Sequence, residues 1–248
     1  MEGTGMGKDN KPGSKGLGVG LAIGGFLLVA GIVAVVWALI APANTHTQPT
    51  PVPSISTAVP SPQASASPVA KCGLDFSDMS LPDRNFTPVW QDGPLGVRLA
   101  TLPGAGPCEQ TPIAAGYTNT PKGALLAALN YMSLSSVGGP NAQTVLDGLL
   151  ADGPDKRVLL EAAGELAGRV LPAPRLVGFH IFDYDLDRAS IGVAFMLDAK
   201  PGVVFGRSLD LTYDKKEKTW RVVPVADMST VLTLVDRPLS TGWTLWTR

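Results

Sequence analysis

The fold is decided by residues 175–197, which read RLVGFHIFDYDLDRASIGVAFML. Apolar residues alternate here with small or polar ones, so that Val177 and Phe179 lie on one side of an extended chain and His180 on the other. A period of two is typical of a β-strand with one buried face. The polar join at residues 185–187 predicts a hairpin of two antiparallel strands.

The same alternation continues beyond this hairpin. It runs through residues 203–211 and ends at Trp220 and Val222, with a second short polar join at residues 214–218. We therefore predict four antiparallel strands within residues 175–225.

Three helices are predicted before the strands, within residues 119–170. Thr120 and Pro121 form an N-cap and first-turn pair, and the apolar residues that follow recur at helical spacing. Asn141 is the expected cap of a second helix, and a third runs over about residues 155–170. Helices followed by a strand meander indicate an α+β fold, in which the helices pack on one face of a curved four-stranded sheet.

The N-terminal part of the chain has a different character. Residues 17–41 are apolar or small and carry no charge, which is long enough for a single transmembrane helix. Residues 1–16 are read as a disordered tail, whose lysines precede the span and keep the N-terminus in the cytoplasm. The alternative is a cleaved signal peptide, because small residues surround Pro42.

Beyond the predicted span, residues 42–70 are rich in Pro, Ser and Thr and carry no charge. Such a composition favours an extended linker. Residues 71–248 then form one extracytoplasmic domain at the cell membrane. Its first part, residues 71–118, is dense in Pro and Gly and is predicted to be an irregular strap, and residues 226–248 form a C-terminal segment.

Cys72 and Cys108 are the only cysteines of the chain. Both fall on the side that the span would export, where disulfides persist, so we predict a bond between them. Two buried free thiols are the alternative.

The sequence offers little catalytic chemistry. His180 is expected to be an ordinary strand histidine. Asp183, Asp185 and Asp187 resemble the start of a calcium loop, but Arg188 stands where that loop needs glycine. We therefore predict no catalytic, metal or cofactor site, and a protein that is not an enzyme. With 20 basic and 21 acidic residues, the chain also lacks the positive charge that direct nucleic-acid binding requires.

Two sets of residues are candidates for protein contacts. One is a small-residue face on the predicted span that would allow self-association, although Gly and Ala are also simply frequent in spans. The other is a pair of tryptophans near the C-terminus, which either pack across the core or anchor a partner. The two sets are Gly16, Gly20, Gly24, Ala30, Ala34 and Ala38, and Trp243 and Trp246.

Two stretches carry a family resemblance: VWQDGPLGVRL at residues 89–99 and GYTNTPKGALLAA at residues 116–128. They resemble segments of membrane proteins encoded on conjugative elements of actinobacteria. These proteins are similar in architecture to single-span scaffold subunits of type IV secretion and conjugation machines, and the element order resembles the nuclear-transport-factor-2-like or cystatin-like cone.

The resemblance implies a membrane-anchored, non-enzymatic assembly subunit of a conjugative DNA-transfer apparatus. Its expected partners are the membrane, further copies of the same chain and other subunits of the machine. The alternative is an extracytoplasmic ligand-binding or cell-wall-associated module on a membrane anchor.

Overall fold

The computed structural model describes residues 72–111, 113–165, 173–227, 229, 231–235 and 242–246. The predicted tail, span and linker lie outside the described residues, and so does the small-residue face predicted on the span. Both cysteines, His180 and the two C-terminal tryptophans lie within them.

The helices of the described residues are α1 (Pro121–Leu134), α2 (Ala142–Leu149) and α3 (Lys156–Glu165). As predicted, α1 begins after Thr120, whose Oγ1 accepts a hydrogen bond of 3.2 Å from the backbone N–H of Gly123. Asn141 precedes α2, but its side chain makes no capping hydrogen bond. Residues 166–170, the predicted end of α3, are outside the described part of the chain.

Eight strands occur in the described residues. They are β1 (Val89–Asp92), β2 (Arg98–Thr101), β3 (Arg175–Asp185), β4 (Arg188–Met196), β5 (Phe205–Asp214), β6 (Thr219–Val222), β7 (Leu232–Leu234) and β8 (Thr244–Leu245). The main sheet is antiparallel and runs in the order β6-β5-β4-β3-β8. β6 pairs with the second half of β5, while β7 pairs with its first half.

The predicted fold class is wrong as stated. The α+β order holds, but the main sheet has six strands where four were expected. The two additional strands, β7 and β8, come from the C-terminal segment, where each is too short to show the alternating pattern that predicts a strand. No helix in the described residues is long and apolar enough to cross a membrane, so the transmembrane part of the predicted fold class finds no counterpart there.

The strap is more regular than predicted. β1 and β2 form a separate hairpin, with Val89 opposite Thr101 and Asp92 opposite Arg98, and a single 3-10 turn at Pro94–Gly96 joins them. The strap also contains the disulfide between Cys72 and Cys108, whose Cα atoms lie 5.5 Å apart.

One buried amide attaches this hairpin to α1. Asn130, on α1, is fully buried; its Oδ1 accepts from the N–H of Ala100 at 2.7 Å, and its Nδ2 donates to the carbonyl of Ala100 at 2.9 Å. Nδ2 also donates to the hydroxyl of Tyr117 at 2.8 Å. The side chain thus satisfies both backbone groups of one β2 residue, as a neighbouring strand would.

Three aromatic side chains hold the segment that leads into α1. The hydroxyl of Tyr213 donates to the carbonyl of residue 117 at 3.1 Å, and the indole N–H of Trp220 donates to the carbonyl of residue 118 at 2.8 Å. The hydroxyl of Tyr184 donates to the next carbonyl, that of Asn119. Consecutive carbonyls that no helix or strand satisfies are therefore paired by the sheet.

The core lies between α1 and the inner face of the sheet. α1 contacts β2, β3, β4, β5 and β6, and its leucines are fully buried together with Ile191 and Val193 of β4. A smaller second cluster covers the opposite face of the sheet around Ala194 and Trp243. Both faces of the sheet are therefore covered by apolar side chains.

Candidate functional site

A groove of about 740 Å³ opens at the end of the sheet where β3 begins and β4 ends. The β1–β2 hairpin forms one wall, and β8 contributes to another. Most of the lining is apolar, from Trp90, Val97, Pro174, Leu176, Val177, Met196, Val204, Leu245 and Trp246. Thr87 and Ser133 add hydroxyl groups. A volume of this size and an apolar lining with few polar groups are typical of small-molecule sites.

Two indoles meet in the groove. The rings of Trp90 and Trp246 are 5.9 Å apart at an angle of 82°, an edge-to-face contact that holds both in place. The Nε1 of Trp246 donates a 2.8 Å hydrogen bond to the carbonyl of Phe86, which fixes its indole against the strap. Trp246 is thus a half-buried part of the groove wall.

The groove also carries two arginines, Arg98 on β2 and Arg175 on β3. The Nη2 of Arg98 donates to the carbonyl of Trp90 at 3.2 Å, across its own hairpin. The Nη2 of Arg175 lies 3.0 Å from the Sδ of Met196, the residue opposite it in the sheet, and its Nε is buried without a hydrogen-bond partner. No Asp or Glu is among the described residues that line the groove.

The sequence did not identify this site. Trp90 and Arg98 belong to the stretch that carries the family resemblance, but nothing in that stretch indicated a binding role. Arg175 begins β3, but its place in the same groove as Arg98 depends on contacts between distant parts of the chain. A groove lined by residues from 87 to 246 cannot be inferred from local pattern.

His180 lies on the outer face of the sheet and does not line the groove. The side chain of its neighbour on β3, Phe179, lies on the other face, in the core. The ring of His180 is 4.3 Å from that of Phe182 and 5.7 Å from that of Trp243. Nδ1 is buried and has no hydrogen-bond partner, and burial lowers the pKa of the imidazole below its usual 6.5. The surroundings of His180 therefore favour its neutral form, and its ring packs against those of Phe182 and Trp243.

Trp243 is buried, with 8% of its surface exposed. Its ring covers a floor of small residues: a Cβ added to Gly192 or Gly206 would lie 2.7 or 2.9 Å from its Cη2. The two C-terminal tryptophans therefore differ, because Trp243 closes the outer face while Trp246 lines the groove.

The three aspartates around the β3–β4 turn do not converge. Asp183 and Asp185 accept hydrogen bonds from the backbone N–H of the residue that follows each of them, and Asp187 pairs with Lys215 at 2.7 Å. In the part of the chain that the structure describes, no group of three or more His, Cys, Asp or Glu could hold a metal ion.

Fold and groove together define a disulfide-bonded α+β domain with an open groove of about 740 Å³. Residues 47–245 match the family described as "Domain of unknown function (DUF8175)", and the chain belongs to this family. No curated protein and no solved structure matches the chain. The resemblance to conjugative membrane proteins and to the nuclear-transport-factor-2-like cone therefore gains no support from relatives.

Proposed function

We propose that this domain is a ligand-binding module and that the groove between the β1–β2 hairpin and the end of the sheet is its binding site. The observation that carries the proposal is the groove itself, about 740 Å³ in volume and lined mainly by apolar side chains. Surface of this kind is costly to leave open to water, and concave apolar sites of this size are where proteins bind small molecules.

The walls of the groove support a preformed site. Trp90 and Trp246 contact each other, and the indole of Trp246 is hydrogen-bonded to the strap. Asn130 fixes the β1–β2 hairpin on α1, so the wall that carries Trp90 is held by a buried network. A site whose walls are already ordered loses less entropy when a ligand binds.

We also propose that the domain works outside the cytoplasm. The Cys72–Cys108 disulfide supports this location, because such bonds persist in oxidising compartments and are rare in the cytosol. The assembly role in a conjugative apparatus stays a prediction from the family resemblance, and no feature of the groove favours it over ligand binding.

The proposal is tested by binding of an apolar fluorescent probe, N-phenyl-naphthylamine, to the full-length protein. We expect one probe per chain, with binding lost in Thr87→Trp, because Thr87 is exposed on the groove wall and an indole there fills the space. Thr144→Trp is the matched control, since Thr144 is exposed on α2 and does not line the groove. Equal binding by the two variants would show that the probe lies elsewhere.

A further inference from the structure

We propose that the groove selects a small molecule with an apolar body and an anionic head such as a carboxylate, and that Arg98 and Arg175 bind the head. This inference rests on the proposed binding function and adds the charge class of the ligand. It also names the two side chains that would recognise the charge.

The first argument is the charge of the lining. Both arginines line the groove, and the described lining residues include no carboxylate. Among the described residues, neither guanidinium forms an ion pair. Two cations beside a partly water-excluded surface create a positive potential that only an anion can neutralise.

The second argument is the hydrogen bonding of Arg175. Its Nη2 points at a thioether sulfur, which is a weak acceptor, and its buried Nε has no acceptor. A buried donor without a partner is costly. For the Nη donors of this side chain a carboxylate is a far better acceptor than the thioether, because a guanidinium offers parallel donors that match the two carboxylate oxygens.

Arg98 is the more accessible of the two. Its side chain is exposed and, among the described residues, donates a hydrogen bond to the carbonyl of Trp90 on the neighbouring strand. That bond holds the guanidinium at the groove wall and leaves most of its donors available. The two guanidinium groups therefore reach the groove from different elements, Arg98 from β2 and Arg175 from the start of β3.

The remaining lining is mainly apolar and would favour an apolar body in the ligand. The indoles of Trp90 and Trp246 and the side chains of Leu176 and Val204 offer an apolar surface beside the arginines. The groove volume of about 740 Å³ suits a compact small molecule. An amphipathic anion matches both parts of the lining, whereas a fully polar anion would leave the apolar walls uncovered.

The test compares two probes that share one skeleton: anilinonaphthalene sulfonate, which is anionic, and N-phenyl-naphthylamine, which lacks the sulfonate. We expect full-length protein to bind the anionic probe at least about tenfold more tightly, because charge-assisted hydrogen bonds are worth more than neutral ones. Dodecanoate should displace this probe and dodecanol should not.

The arginines are tested by Arg98→Gln and Arg175→Gln. Each variant should lose roughly tenfold in affinity for the anionic probe and keep its affinity for the neutral one. Arg157→Gln is the matched control, since Arg157 is exposed on α3, pairs with Glu161 and does not line the groove. Arg175→Lys keeps the charge and should retain part of the preference, which separates recognition from a folding defect.

The outcomes are distinct. If both probes bind equally and the arginine variants change neither affinity, the inference about charge is overturned and the binding function stands. If neither probe binds, or if Thr87→Trp leaves binding unchanged, the binding function fails together with the inference. A preference for the anion that survives in both arginine variants overturns the assignment of these two residues.

Discussion

The clearest test of how this fold is held together is the substitution Asn130→Ala. Asn130 is fully buried on α1, and its amide satisfies both the N–H and the carbonyl of Ala100, which is itself fully buried. Alanine removes the amide and leaves both backbone groups of Ala100 without a partner inside the protein. The hydroxyl of Tyr117 loses its donor at the same time.

The expected cost follows from these contacts. An orphaned buried donor or acceptor costs about 1–3 kcal/mol, so two of them lower the free energy of unfolding by roughly 2–6 kcal/mol. Water that enters the vacated space would bring the cost toward the lower value. Domains of this size have a total stability of about 5–15 kcal/mol, so the variant loses a large part of it.

The assay is equilibrium unfolding of the full-length protein in guanidinium chloride, followed by tryptophan fluorescence. Buried Trp220 and Trp243 provide the signal. Asn141→Ala is the matched control, because Asn141 is exposed and its side chain makes no capping hydrogen bond. A surface change of this kind should alter stability by less than about 0.5 kcal/mol. If the two variants differ by less than about 1 kcal/mol, the hydrogen-bond argument is wrong.

Three further outcomes are expected. Gly192→Ala should destabilise the protein by roughly 1–3 kcal/mol in the same assay, because the new methyl group would lie 2.7 Å from the ring of Trp243. Burial lowers the pKa of His180 in the folded protein. The stability that the neutral imidazole contributes is therefore complete above about pH 6.5 and is lost as the pH falls through the lowered pKa. His180→Gln should reduce the difference in the free energy of unfolding between neutral and mildly acidic pH. Reduction of the Cys72–Cys108 bond, which spans 36 residues, should lower the free energy of unfolding by about 4 kcal/mol on the chain-entropy model, and a variant with alanine at both positions should not respond to reductant.

The sequence predicted the elements whose signals are local. β4, β5 and β6 follow from a period of two, because a strand with one face in the core alternates. In β3 the expectation that Val177 and Phe179 share a side was wrong, because a register shift between Leu176 and Gly178 places Phe179 in the core and Val177 in the outer cluster. The start of α1 follows from the chemistry of Thr120 and Pro121, which favours that position alone. The disulfide was predicted because the only two cysteines of the chain both follow the predicted span, on the side where such bonds persist, and the bond is present in the structure.

The elements that were missed depend on distant partners. β7 and β8 have three and two residues, too few to show a period, and they exist because β5 and β3 offer them an edge. The β1–β2 hairpin was hidden in a region rich in Pro and Gly and is held by Asn130, an amide that helix patterns do not distinguish from an exposed one. The groove is harder still, since it exists only once the hairpin and the strand ends come together.

The stretch at residues 116–128, which carries part of the family resemblance, has a structural role in this fold and lies outside the groove lining. Its segment before α1 receives hydrogen bonds from three aromatic side chains of the sheet. Gly123 has no room for a Cβ, which would lie 2.1 Å from the carbonyl oxygen of Thr118. These residues hold the fold and do not line the groove. Their distinctive sequence is explained by packing.

β8 links the outer face of the sheet to the groove, because a tryptophan at each end of this strand belongs to one of them. Trp243, just before the strand, covers the outer face, and Trp246, just after it, lines the groove. Proteolytic trimming that removed residues 242–246 would therefore expose the glycine floor and open the groove in a single event. A mutation that weakened the two residue pairs between β8 and β3 would therefore affect the outer face and the groove together.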